Sequence, residues 1–162
     1  METEAYDGKI DRACHAHLEN SSRWKAAALS NRGGCAYVYL IYGMYYCFNI
    51  ASSVKGELQG VLIRAAEPLD HHTMPVPSRH DPKKKFCYYT NGPGKLCRAL
   101  SIDINLNHVD LTTSELIYLE DQPELSQDQI VATKRVNIDY AGDDKDRLWR
   151  FYIKDNPFVS RK

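Results

Sequence analysis

The sequence predicts an α+β protein: one β-rich domain on an antiparallel sheet, with a protruding β-hairpin and a few short helices. Three observations lead there. A chain of 162 residues that is 43% apolar and 26% charged is sized for one soluble domain with one core. Aromatic and β-branched runs bounded by turn residues recur at 37–50, 61–66 and 147–159. Helix signals are short, and the chain shows neither an internal repeat nor an interdomain linker, so a single domain over 1–162 is expected.

Glu2 to Tyr6 reads as a strand that points Glu2, Glu4 and Tyr6 to one face and Thr3 and Ala5 to the other. Asp7 and Gly8 form a turn. Residues 9–34 are polar and loop-like with a short helix near Trp24 to Leu29, and their pattern assigns them no packing role. Tyr37 to Ile50 (YVYLIYGMYYCFNI) divides at Gly43 into two strands joined by a tight turn. Its tip carries Tyr42 and Met44, where Asn, Asp, Ser or Gly is usual. Val61 to Ala66 is a further strand, with Arg64 among apolar neighbours. Pro75, Pro77 and Lys83 to Lys85 mark a mobile basic loop. Pro93 occupies the first position of a helix over Gly94 to Leu100. Asn107 to Asp110 forms a turn, and Leu116 to Leu119 and the segment 147–159 have strand composition.

Lys and Arg number 21, as do Asp and Glu, which removes any argument for nucleic-acid binding from overall charge. The average hides two blocks: 71–100 holds six bases against one acid, and 101–130 holds seven acids and no base. One basic and one acidic face are the implied arrangement. Five cysteines without a C-x-x-C pair favour a reducing interior over a disulfide framework. The uncharged run 35–51 contains five tyrosines, Gly43 and Asn49, and reads as a buried hairpin, not a membrane span. No secretory signal follows Met1, so an intracellular protein is expected.

Glu4 and Tyr6 on one strand face, with His15 beyond a short loop, offer a base and two rings for a small pocket; an exposed carboxylate beside partly buried rings fits the same spacing. Arg64 calls for an acidic partner, and Glu4 is the candidate. Cys14, His15, His17, His71 and His72 are metal-ligand types in no defensible spacing, so no metal or other cofactor is expected. The stretch TNGPGKL lacks the full phosphate-loop pattern, yet free backbone N–H groups beside Lys95 are suited to a nucleic-acid phosphate. Tyr42 and Met44 are placed as apolar wedges are placed when they unstack bases.

In order, ETEAY, ACHA, YVYLIYGMYYCFN, VLIRAAEPL, NGPGKLCRAL and RFYIKDNPFVS resemble the alkyladenine (3-methyladenine) DNA glycosylase family over nearly the whole chain. The resemblance implies a monofunctional, cofactor-independent, monomeric base-excision repair enzyme. It would act on double-stranded DNA, extruding alkylated or deaminated purines and hydrolysing their N-glycosidic bonds. It further implies Glu4 as general base, Arg64 as holder of the water, and Tyr6, His15 and Tyr39 as the base pocket with Asn49 at its floor. Tyr42 would fill the vacated place in the stack with Met44 beside it.

The family has several dozen residues upstream of ETEAY, whereas Glu4 here lies three residues from Met1, so a short form lacking the amino-terminal part is expected. Its TPRN stretch is absent; Arg23, Lys25 and Arg32 keep positive charge there, and Arg23, Lys25 and Lys95 are the candidate backbone contacts. A catalytically impaired damaged-DNA binding protein is the alternative, and a metal-dependent hydrolase using His15, His17 and His71 a third.

Overall fold

The computed structural model describes residues 1–19, 23–69 and 84–161, with the side chains of 23–26 left out. Six strands make one antiparallel sheet: β1 (Glu2–Asp7), β2 (Ala36–Ile41), β3 (Tyr45–Ala51), β4 (Gln59–Ala65), β5 (Ile130–Thr133) and β6 (Arg150–Ile153), in the order β2-β3-β4-β1-β6-β5. The first strand in sequence is thus central in space. It pairs with β4 along its whole length and with β6 from Glu2 to Glu4, so neither edge of β1 meets solvent there. Its backbone is held on both sides, which is what a terminal segment needs in order not to fray.

Alternation sets the two faces. Ala36 and Val38 of β2, Phe48 of β3 and Ile63 of β4 pack with Leu96, Cys97, Ile102 and Leu111 into the main core. The helix α1 (Pro93–Ala99) supplies Leu96 and Cys97 and starts at Pro93, where a missing N–H costs nothing. The opposite face carries Glu2, Glu4, Tyr37, Tyr39, Cys47, Leu62 and Arg64, a mixture that cannot form an oil-like core.

The structure completes one sequence reading and corrects two. Among the described residues of 9–34, Cys14, Ala16, Ala28 and Leu29 are buried against Tyr37; small side chains at irregular spacing leave no period to read. Residues 116–119 form no strand; Leu116 is 83% exposed, and the backbone–backbone bond of the segment is Leu119 N–H to the Leu111 carbonyl at 2.9 Å. The sixth strand is instead β5, four residues long at the sheet edge. In the last segment only Arg150–Ile153 is strand; Asp155 at φ +56° turns the chain, and Phe158 and Val159 are buried beyond it. Pro75, Pro77 and Lys83 lie outside the described residues, as do His71 and His72. No helix among the described residues is long and apolar enough to cross a membrane.

Candidate active site

The polar face of the sheet forms the floor of a cleft of about 890 Å³. Glu4, Tyr6 and His15 line it together with Tyr39, Cys47 and Arg64, and its far wall is built by α1 and the loop 136–140. Glu4 is fully buried at the foot of this cleft. Its Oε1 accepts the Val136 N–H at 2.8 Å and its Oε2 accepts the Tyr6 hydroxyl at 2.8 Å. Arg64 Nη1 stands 3.4 Å from Oε1, so the expected pairing of the β1 acid with the β4 base is present. A carboxylate buried this deeply is tolerable because each oxygen has a donor and a guanidinium sits beside it.

Tyr6 is clamped from behind as well. Arg135 lies 4.7 Å from its ring centroid and is itself held by Asp11 through an Nη2 to Oδ1 bond of 2.8 Å. Burial pushes the Tyr6 hydroxyl well above its ordinary range, and the neighbouring Glu4 carboxylate pushes it further, so it stays a proton donor to Glu4. Burial likewise raises Tyr39 and Cys47. The Tyr6 and Tyr39 rings therefore line the cleft neutral and electron-rich.

His15 meets Tyr39 edge to face, with centroids 4.4 Å apart at 64°, and its Nδ1 is 3.0 Å from the Tyr37 hydroxyl. Tyr37 and Tyr39 lie 5.3 Å apart. The aromatic group is thus one packed unit, with Tyr37 bracing the two rings that face the cleft. Asn49 is not on the cleft wall. It borders a recess of about 40 Å³ that Tyr6, His15 and Tyr39 also line, and its Nδ2 donates to the Tyr37 carbonyl at 3.1 Å.

The hairpin tip closes on a two-residue turn, Met44 N–H to the Ile41 carbonyl at 3.2 Å, with Tyr42 at φ +54° and Gly43 at φ +67°. Two successive left-handed residues match the twist of the paired strands, and Asn-Gly is the usual solution. A tyrosine there costs on the order of 1 to 3 kcal/mol in backbone strain. Tyr42 is 74% exposed and Met44 67% exposed, so packing does not compensate. Tyr42 also lines the mouth of the cleft.

Lys95 lines the cleft from α1; its Nζ donates to Asn91 at 2.9 Å and sits 3.8 Å from the Tyr88 ring centroid. Lys84 takes the same ring at 4.2 Å. Lys84 first and Lys95 after it pull the exposed Tyr88 hydroxyl below its ordinary range. The side chains of Arg23 and Lys25 lie outside the described residues. Among the described residues no group of three His, Cys, Asp or Glu is arranged to hold a metal ion.

The structure also brings in residues that sequence reasoning missed. Val136 contributes its backbone, and Arg135 and Asp11 act through Tyr6. A backbone donor leaves no residue-type signal, and Asp11 and Arg135 are 124 positions apart, so only the fold pairs them.

Comparison with known proteins identifies the family. The family model described as methylpurine-DNA glycosylase matches residues 1–157. A protein of Natranaerobius thermophilus named "Putative 3-methyladenine DNA glycosylase" is 46% identical over 160 residues, covering 99% of this chain and 80% of its own length. Proteins of the same name from Clostridium tetani and Clostridium perfringens are 46% and 44% identical, each covering 100% of this chain and 82% of their own length.

Proposed function

The chain belongs to the methylpurine-DNA glycosylase family, and from that premise we propose that it excises 3-methyladenine and related damaged purines from duplex DNA by hydrolysis. The observation that carries the residue roles is the fully buried Glu4 at the foot of an aromatic cleft with Arg64 at 3.4 Å.

In this reading Glu4 takes a proton from water while the water oxygen bonds to the sugar C1′. The bond from C1′ to the purine nitrogen breaks, and its electron pair leaves with the base. The sugar passes through an oxocarbenium-like state, which a nearby carboxylate stabilises, as in glycoside hydrolysis. Arg64 donates to the water and fixes it beside Glu4. Tyr6, His15 and Tyr39 surround the extruded base. A 3-methylated adenine carries positive charge in the nucleotide and departs neutral, so electron-rich rings favour it by about 0.5 to 2 kcal/mol through cation–π attraction. Extrusion costs a few kcal/mol and is cheapest for poorly paired bases. Tyr42, strained and exposed beside the cleft, occupies the emptied position in the stack, with Met44 alongside.

The test is release of free 3-methyladenine and hypoxanthine from duplex DNA under single-turnover conditions. The wild-type chain releases base and Glu4→Gln does not, while both bind duplex with an abasic-site analogue. Equal release by Glu4→Gln removes Glu4 as base. Tight analogue binding without release by the wild type makes the chain a damaged-DNA binding protein.

A further inference from the structure

Arg64 does not pair with Glu4 alone. It lies between two buried carboxylates of the same strand: Nε donates to Glu2 Oε1 at 3.3 Å, and Nη1 faces Glu4 at 3.4 Å. Its third edge is occupied as well, Nη2 to Ser160 Oγ at 3.5 Å. Glu2 is fully buried, and Ser160 pins it from the segment after β6, giving its N–H to Oε2 at 2.6 Å and its hydroxyl to Oε1 at 2.9 Å. Arg150 of β6 completes the cluster, with Nη1 on Glu2 at 2.8 Å and on the Arg161 carbonyl at 3.0 Å. The cluster thus holds two acids and two bases.

A guanidinium beside a single carboxylate prefers the two-pronged pairing in which parallel N–H groups take both oxygens. On Glu4 that pairing would compete with the Tyr6 and Val136 donors for the same two oxygens and leave no lone pair directed at water. Glu2 and Ser160 prevent it by claiming the Nε and Nη2 edges of Arg64. We infer that Glu2, held by Ser160, is a positioning residue for hydrolysis: it restrains Arg64 so that one N–H group faces Glu4 and both remain able to hold the attacking water.

The inference rests on the glycosylase reading, and the experiment separates the two. Single-turnover base release, binding to an abasic-analogue duplex and thermal unfolding are measured for the wild type, Glu2→Gln and Ser160→Ala. Positioning predicts release slowed about tenfold or more in Glu2→Gln, since a misplacement of about 1 Å can cost up to a hundredfold. Ser160→Ala, which removes one hydroxyl from a half-buried residue, keeps the fold and shows a smaller loss of the same kind. In both, analogue binding stays at the wild-type level. A wild type that releases base while folded Ser160→Ala and Glu2→Gln match it overturns the inference alone. If Glu2→Gln does not fold, Ser160→Ala decides: release and unfolding both at wild-type values overturn the positioning role. Loss of analogue binding in parallel with release makes the cluster structural. A wild type that releases nothing removes the glycosylase reading and this inference with it.

Discussion

Cys14 and Cys97 are buried in different clusters on the two sides of the sheet, and burial raises both thiols from 9.0, to about 11 for Cys14 and about 12 for Cys97. Their protons are held more tightly in the folded chain than in the unfolded one. Below pH 9 both states keep them and nothing is lost. Above it the unfolded chain binds fewer protons, so folding stability falls as pH rises and stops falling from this source once pH passes the folded values. Urea unfolding midpoints should therefore decline between pH 9 and about 12. Cys97→Ala should be less stable near neutral pH, because a buried group is removed, yet show a shallower alkaline decline; an unchanged slope would place the loss elsewhere. The same desolvation keeps Tyr6 protonated against Glu4, so the physics that stabilises the core also fixes the donor pattern at the site.

At the level of elements, α1 must approach β3 closely for Lys95 and Arg98 to reach the cleft, and Gly94 permits it. A Cβ there would lie 3.0 Å from Cβ, Cγ and Cδ1 of Tyr45. These are atoms near the strand backbone, which cannot swing away. Overpacking of this sort costs about 1 to 3 kcal/mol, and the gain from replacing glycine in a helix is smaller, about 0.5 to 1 kcal/mol. Gly94→Ala should thus lose about 1 kcal/mol by urea denaturation, the overpacking term exceeding the helix gain. An equal or higher midpoint would mean that the helix shifts freely. The sequence allowed this element to be read well: Pro93 marks its start, and the aromatic run broken at Gly43 marks the hairpin whose tip the structure finds at Tyr42 and Gly43. Glu4 and Arg64 were readable as partners because each is a charge on an otherwise strand-like segment, and such a charge needs an opposite one. What was not readable depended on the fold. β5 lies in a polar stretch, Leu116 to Leu119 has strand composition yet joins neither edge of the sheet, and Asp11 and Arg135 are brought together only by the fold. Asn49 was assigned to the pocket floor by resemblance; in the structure it borders a smaller recess shared with Tyr6, His15 and Tyr39.

For the whole molecule, the formal net charge is zero, so attraction to a polyanion has to be local. Lys84, Lys95 and Arg98 line the cleft, and none of the seven acids of 101–130 does. This arrangement makes Lys95 separable into two roles. As a phosphate contact it releases a counterion on binding, and its removal lowers the slope of log affinity against log salt by about 0.9. The loss of affinity is then similar for damaged and undamaged duplex, because phosphates carry no lesion information. As a brace for Asn91 and Tyr88 it leaves that slope untouched and lowers the unfolding midpoint instead. Lys95→Ala, titrated with both duplexes over a series of salt concentrations, should show the reduced slope and the uniform loss. An unchanged slope would mean that the cationic wall of the cleft orders the protein and does not touch the DNA backbone.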